Sequence, residues 1–143
     1  MRRRAAQDSA AWDAAVDEAH QRRLEEIIDC IGWPTIALVG AEASNAAWLI
    51  AQHGPNLEFM EHCLELMLRL PTNSVHPANI AYLEDRVLMR HDEPQVYGTQ
   101  FLGSGDDLHV YPIQDPERAD ECRASVGLGP FAEYEDQIRK RLP

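Results

Sequence analysis

Three small groups of polar residues stand where an apolar or neutral residue is expected, and together they could do chemistry. Gln52 and His53 close an apolar segment, Asp85 and Arg86 interrupt another, and Gln95, Tyr97, Thr99 and Gln100 stud a short β-like run. An imidazole titrates near neutral pH and can pass a proton; a carboxylate can orient it or act as the second acid or base. A guanidinium offers a planar fork to a carboxylate or phosphate. On this reading His53, Asp85 and Tyr97 are the catalytic set. Gln52, Arg86, Gln95, Thr99 and Gln100, with Trp48, bind a polar ligand. Each also has a structural reading. A histidine at a helix end complements the helix dipole, and strand Gln and Thr pair across strands. Asp85 and Arg86 are helix neighbours pointing about 100° apart, so they cannot readily pair with each other.

The elements that must position these residues follow from periodicity. Asp8 to Ile31 reads as a helix with Asp8 or Ser9 as N-cap. Its early stripe, Trp12, Val16 and Ala19, is thin, and its later one, Leu24, Ile27, Ile28 and Ile31, is strong. Residues 1–19 are therefore expected to be a loosely held helical segment, one able to carry an oligomer contact, and 20–143 one globular domain. Gly32-Trp33-Pro34 makes a corner. Ala41 to His53 is apolar almost without a break, which predicts a central helix buried on most sides, ended by Gly54 and Pro55. Asn56 caps a helix over Leu57 to Leu70. Pro77 opens another, Ala78 to about Met89, whose core stripe Ile80, Leu83 and Val87 leaves Asp85 and Arg86 at its sides.

After Pro94 the residue types change to strand formers. Gln95 to Leu102 and Leu108 to Ile113 read as two antiparallel strands. Alternation puts Gln100 on the face opposite Gln95 and Tyr97, so all three meet one pocket only if the strand twists or bulges. A helix from Asp115-Pro116-Glu117 to about Val126 and a last one, Phe131 to Arg141, complete a mainly α fold with a single two-stranded hairpin.

Composition narrows the partners. A net charge of -11 over 143 residues argues against nucleic acid and anionic membranes. No run reaches the roughly 20 apolar residues of a membrane span, and MRRR is followed by no apolar signal core. Cys30, Cys63 and Cys122 are odd in number and widely spaced, which fits reduced core thiols in a cytoplasmic protein. His and Cys lack the close pairs of a metal site, and no phosphate-binding glycine loop is present, so neither metal nor cofactor is expected.

The blocks Gly32-Trp33-Pro34, Trp48 with Gln52-His53, Ala81-Tyr82-Leu83 with Asp85-Arg86, Gln95-x-Tyr97-Gly98-Thr99-Gln100, and Arg123 with Val126-Gly127-Leu128 resemble a bacterial family of uncharacterised domains that carries them in this order. The resemblance spans about Leu24 to Tyr134. It implies a shared ligand site at these polar residues and no particular reaction. Gly54-Pro55-Asn56 departs from it, standing where a more acidic segment is usual. The expected function is cofactor-independent acid/base chemistry, such as elimination, cyclisation, isomerisation or hydrolysis, on a polar metabolite or peptide side chain. The alternative is a non-catalytic domain that binds a ligand or a protein such as a toxin.

Overall fold

In the computed structural model the backbone is described from residue 2 to 141 and side chains from residue 15 to 141. The expectation about Trp12 falls on a side chain outside that range, whereas a cap at Asp8 or Ser9 does not hold, because the first helix runs from Arg2 to Ile31 and both positions lie inside it. Among the described residues the fold is mainly α with a single two-stranded antiparallel sheet. Among the described residues no helix is long and apolar enough to cross a membrane. The chain divides into two compact units, Met1–Val75 and His76–Pro143.

The first unit holds α1 (Arg2–Ile31), α2 (Ile36–Val39), α3 (Ala41–His53) and α4 (Leu57–Leu68). Asn56 caps α4 by accepting the Phe59 N–H on its side chain at 3.2 Å, and Thr35 does the same for Leu38 at 3.3 Å. Helix α3 touches α1, α2 and α4. It is not buried on most sides, however: Ser44, Ala47, Ala51 and Gln52 are its buried residues, and Leu49 is 46% exposed. Ser44, Ala47 and Ala51 recur at spacings of three and four and are small, so a narrow face lets neighbours approach, with Gln52 beside it, while Leu49 stays outside and Trp48 and Ile50 are half-buried. Leu24, Trp33, Phe59, Met60, Cys63 and Met67 supply the buried bulk. Of the three cysteines expected in the core only Cys63 is buried; Cys122 is half-buried and Cys30 is exposed.

The second unit holds α5 (Pro77–Arg90), β1 (Phe101–Leu102), β2 (His109–Val110), α6 (Ala119–Ser125) and α7 (Phe131–Arg141). A 3₁₀ turn over Pro116–Arg118 leads into α6, which is where a Pro in a first helical turn belongs. The expected long strands shrink to a pair of two residues each, with Phe101 opposite Val110 and Leu102 opposite His109. Gln95 meets Ile113 in an isolated parallel bridge. Between these two points the chain leaves the ladder, because Gly98 adopts φ +71° and the neighbouring N–H groups turn elsewhere. A side chain at Gly98 would be strained twice: its Cβ would lie 3.0 Å from Phe131 Cδ2 and 3.1 Å from Ile113 Cδ1.

Two predictions follow from this packing. Gly127 shares the left-handed backbone, at φ +78°, but a Cβ there meets open space. Denaturant unfolding should therefore show Gly98→Ala costing more than Gly127→Ala, about 2 to 4 kcal/mol against about 1; equal costs would mean that Phe131 and Ile113 do not crowd the turn.

The second concerns Cys63. Burial, and after it the negative charge of Glu25, push its thiol up to about 12 from an ordinary 9.0. The unfolded chain releases that proton first, so this contribution to stability is full below pH 9 and drains as pH rises toward 12. A thiol reagent at neutral pH should modify Cys30 rapidly and Cys63 only at the rate of unfolding; equal labelling would contradict the burial.

Candidate functional site

The centre of the second unit is a carboxylate. Asp85, on α5, is fully buried, where the helix pattern had placed it beside the core stripe; Ile80 and Val87 of that stripe are only half-buried. A buried carboxylate is tolerated only when its lone pairs are filled. Four donor groups fill them. Val96 N–H donates to Oδ1 at 2.8 Å, and Tyr97 N–H is shared between Oδ1 at 3.1 Å and Oδ2 at 3.3 Å. Thr99 donates its N–H to Oδ2 at 3.1 Å and its hydroxyl at 2.8 Å. Val96, Tyr97 and Thr99 thus give their amides to a side chain where a strand would spend them on a neighbouring strand.

Gln95 repeats the device one step away. Its Nε2 donates to the carbonyls of Gln100 at 3.0 Å and Tyr111 at 2.7 Å, and its Oε1 accepts the Gln100 N–H at 2.9 Å. The amide clamps both ends of the loop to β2's continuation, and the residue is wholly buried.

Arg86 joins the same network from the next position of the helix. Its Nη1 donates to Gln100 Oε1 at 3.3 Å, Gln100 Nε2 donates to Thr99 Oγ1 at 3.0 Å, and that hydroxyl donates to Asp85. Two helix neighbours that cannot meet directly are therefore linked by an amide and a hydroxyl, every bond running from cation to anion. Bonds aligned in this way polarise one another.

The charges respond to burial. Desolvation raises the Asp85 carboxyl above its ordinary range, while hydrogen bonds from Val96, Thr99 and Tyr97 and from the Thr99 hydroxyl pull it back. All its partners are donors, so the ionised form is the one the loop fits. Glu84 is raised by burial and then by the charge of Asp85. The Tyr97 phenol, half-buried, is pushed up to about 12 by burial and by Glu84 and Asp85, so it stays protonated. Arg86 is lowered by burial and by the positive charge of Arg90, and its buried Nε makes no hydrogen bond.

Two supporting residues carried no assigned role in the sequence reading. Arg123 of α6 is 2% exposed; its Nε donates to Gly129 O at 2.6 Å, its Nη1 donates to Tyr97 O at 3.0 Å, and its guanidinium lies 4.9 Å from the Tyr134 ring centre. Tyr134 of α7 donates its hydroxyl to Thr99 O at 2.9 Å. Both fasten the loop's outward carbonyls. The signal was an arginine in the last turns of a short helix ahead of Gly127-Leu128-Gly129-Pro130, a segment that needs a donor for its turned carbonyls.

Of the residues expected to form a site, Asp85, Arg86, Gln95, Thr99 and Gln100 come together by side-chain bonds, and Tyr97 by its backbone. Trp48, Gln52 and His53 belong to α3 in the first unit, Gln52 buried and His53 exposed at the helix end. Among the described residues no group of three or more His, Cys, Asp or Glu is placed to hold a metal ion.

If Asp85 closes the loop, Asp85→Asn should cost about 2 to 4 kcal/mol in chemical denaturation, since the new amide must point N–H at N–H on one of its two sides. A variant as stable as the parent would show that the carboxylate is not what holds residues 96–99.

No curated protein matches the chain, and no solved structure does. Residues 6–141 match DUF6624, described as a family of unknown function. With nearly the whole chain covered, the protein belongs to the DUF6624 family.

Proposed function

We propose that this protein is a binding domain for a polar ligand bearing a carboxylate or phosphate, with Arg86 taking the anionic group. What carries the reading is the state of Arg86. It is half-buried, its fixed bond is a long one to a neutral amide, and its Nε is sealed from water without a hydrogen bond. The two influences on its charge, desolvation and Arg90, both oppose it. A guanidinium kept at such a cost is suited to an anion that arrives from outside, and Gln100 holds the fork in one orientation for it.

The acid/base reading draws less support from the same geometry. Asp85 was to orient or exchange a proton, but a carboxylate has about four lone-pair sites and four donor groups occupy them. Tyr97 is a donor at neutral pH and not a base. Gln95 and Thr99 are spent on the loop. Binding is therefore favoured over turnover, with His53 left as the group a catalytic alternative would have to use.

The test is Arg86→Gln, which keeps a polar side chain and removes the charge. Thermal unfolding of the free protein should be unchanged or slightly raised, because an uncompensated charge has gone. In the parent, calorimetric titration with phosphate and small carboxylates should give a heat signal that Arg86→Gln loses, a fall of roughly tenfold or more in affinity. A variant destabilised by about 1 to 3 kcal/mol, with anion binding untouched, would assign Arg86 to the scaffold.

A further inference from the structure

The second unit also carries a groove that none of the polar residues above enters. It has a volume of about 560 Å³ and is lined by Val110, Pro112, Ile113, Pro116 and Phe131, with Asp120 as its only charged group among the described residues. That volume lies within the roughly 300 to 1,000 Å³ of small-molecule pockets.

Its lining selects among occupants. Pro112 and Pro116 have no N–H, so this stretch offers a poor ladder to an added peptide strand. The inward side of the same stretch is already used, Gln95 N–H donating to Pro112 O and Tyr111 N–H to Gln100 O. The walls are aliphatic and aromatic, which favours a compact apolar body. Asp120 then decides the charge. Its Oδ1 accepts the first N–H of α7, from Phe131, at 2.8 Å, which anchors this exposed carboxylate at the groove. An anion would meet repulsion there and a cation would meet a preset partner.

We propose that this groove is a ligand site for a small organic cation, a protonated amine carried on an aromatic or branched aliphatic body. The site does not depend on the anion-binding role of Arg86.

Two probes with the same body and opposite charge test it: 4-phenylbutylamine and 4-phenylbutyrate, titrated into the full chain while backbone amides are followed by NMR. The amine should shift the amides of Val110, Ile113 and Phe131 saturably, and the carboxylate should not. Asp120→Asn keeps an acceptor for the helix start, since Asn caps as well as Asp, and should weaken the amine roughly twofold to fivefold. Ala132→Phe, at an exposed position of α7 on the groove, should abolish binding by filling it. Should that variant fail to fold, Asp120→Asn carries the test alone. Equal binding of the two probes, unchanged affinity in Asp120→Asn, or an amine that leaves these amides unmoved at concentrations on the order of millimolar would overturn the proposal.

Discussion

Burying a carboxylate with no facing cation forces the second unit into its shape. Asp85 has no exposed surface, and its charge must be met by dipoles. The backbone amides of Val96, Tyr97 and Thr99 are the available ones, and to reach both oxygens the chain must leave extended geometry. Gly98 supplies the turn, Gln95 ties the ends, and Arg123 and Tyr134 take up the carbonyls that the turn throws outward. The buried polar residues of this unit, Asp85, Gln95, Thr99, Gln100 and Arg123, are consequences of one requirement.

That requirement also explains why a residue set resembling an active site serves a loop. Acid/base sites and buried structural networks draw on the same side chains, and they differ in whether a lone pair or a proton is left for a ligand. Here Asp85, Gln95 and Thr99 spend their groups on backbone and on one another. Arg86 is the member whose charge remains poorly met. The relay through Gln100 and Thr99 orients it without neutralising it.

Much of the helical frame was legible in the sequence, because caps and breakers act locally. Asn56 before Leu57, Pro77 at a helix start, Gly54 after His53 and the Phe131 start were each readable from a residue or two. The α3 burial was not, since apolar composition alone does not say which face is covered; its alanines at 47 and 51 are buried while Leu49 is not. The strand over Gln95 to Leu102 failed for a related reason. β-forming residue types predict a ladder only if their N–H groups have no better acceptor, and the acceptor lay on another helix, at Asp85. Periodicity assigned that helix a stripe through Ile80, Leu83 and Val87 with the carboxylate at its side; Leu83 is buried, but so is Asp85, while Ile80 and Val87 are only half-buried. The need to bring Gln100 round to the face of Gln95 and Tyr97 was visible in the alternation, and Gly98 was the residue able to do it.

The central claim is that side chains, and not a strand, hold the amides of Val96, Tyr97, Thr99 and Gln100. Native-state hydrogen exchange of the full chain reads this directly, amide by amide. Val96, Tyr97, Thr99 and Gln100 should be protected as strongly as the helical amides of α5, although they lie outside any strand, and Asp85→Asn should expose the first three while leaving much of α5 protected. Exchange of these four amides at the rate of an exposed loop in the parent protein would contradict the account.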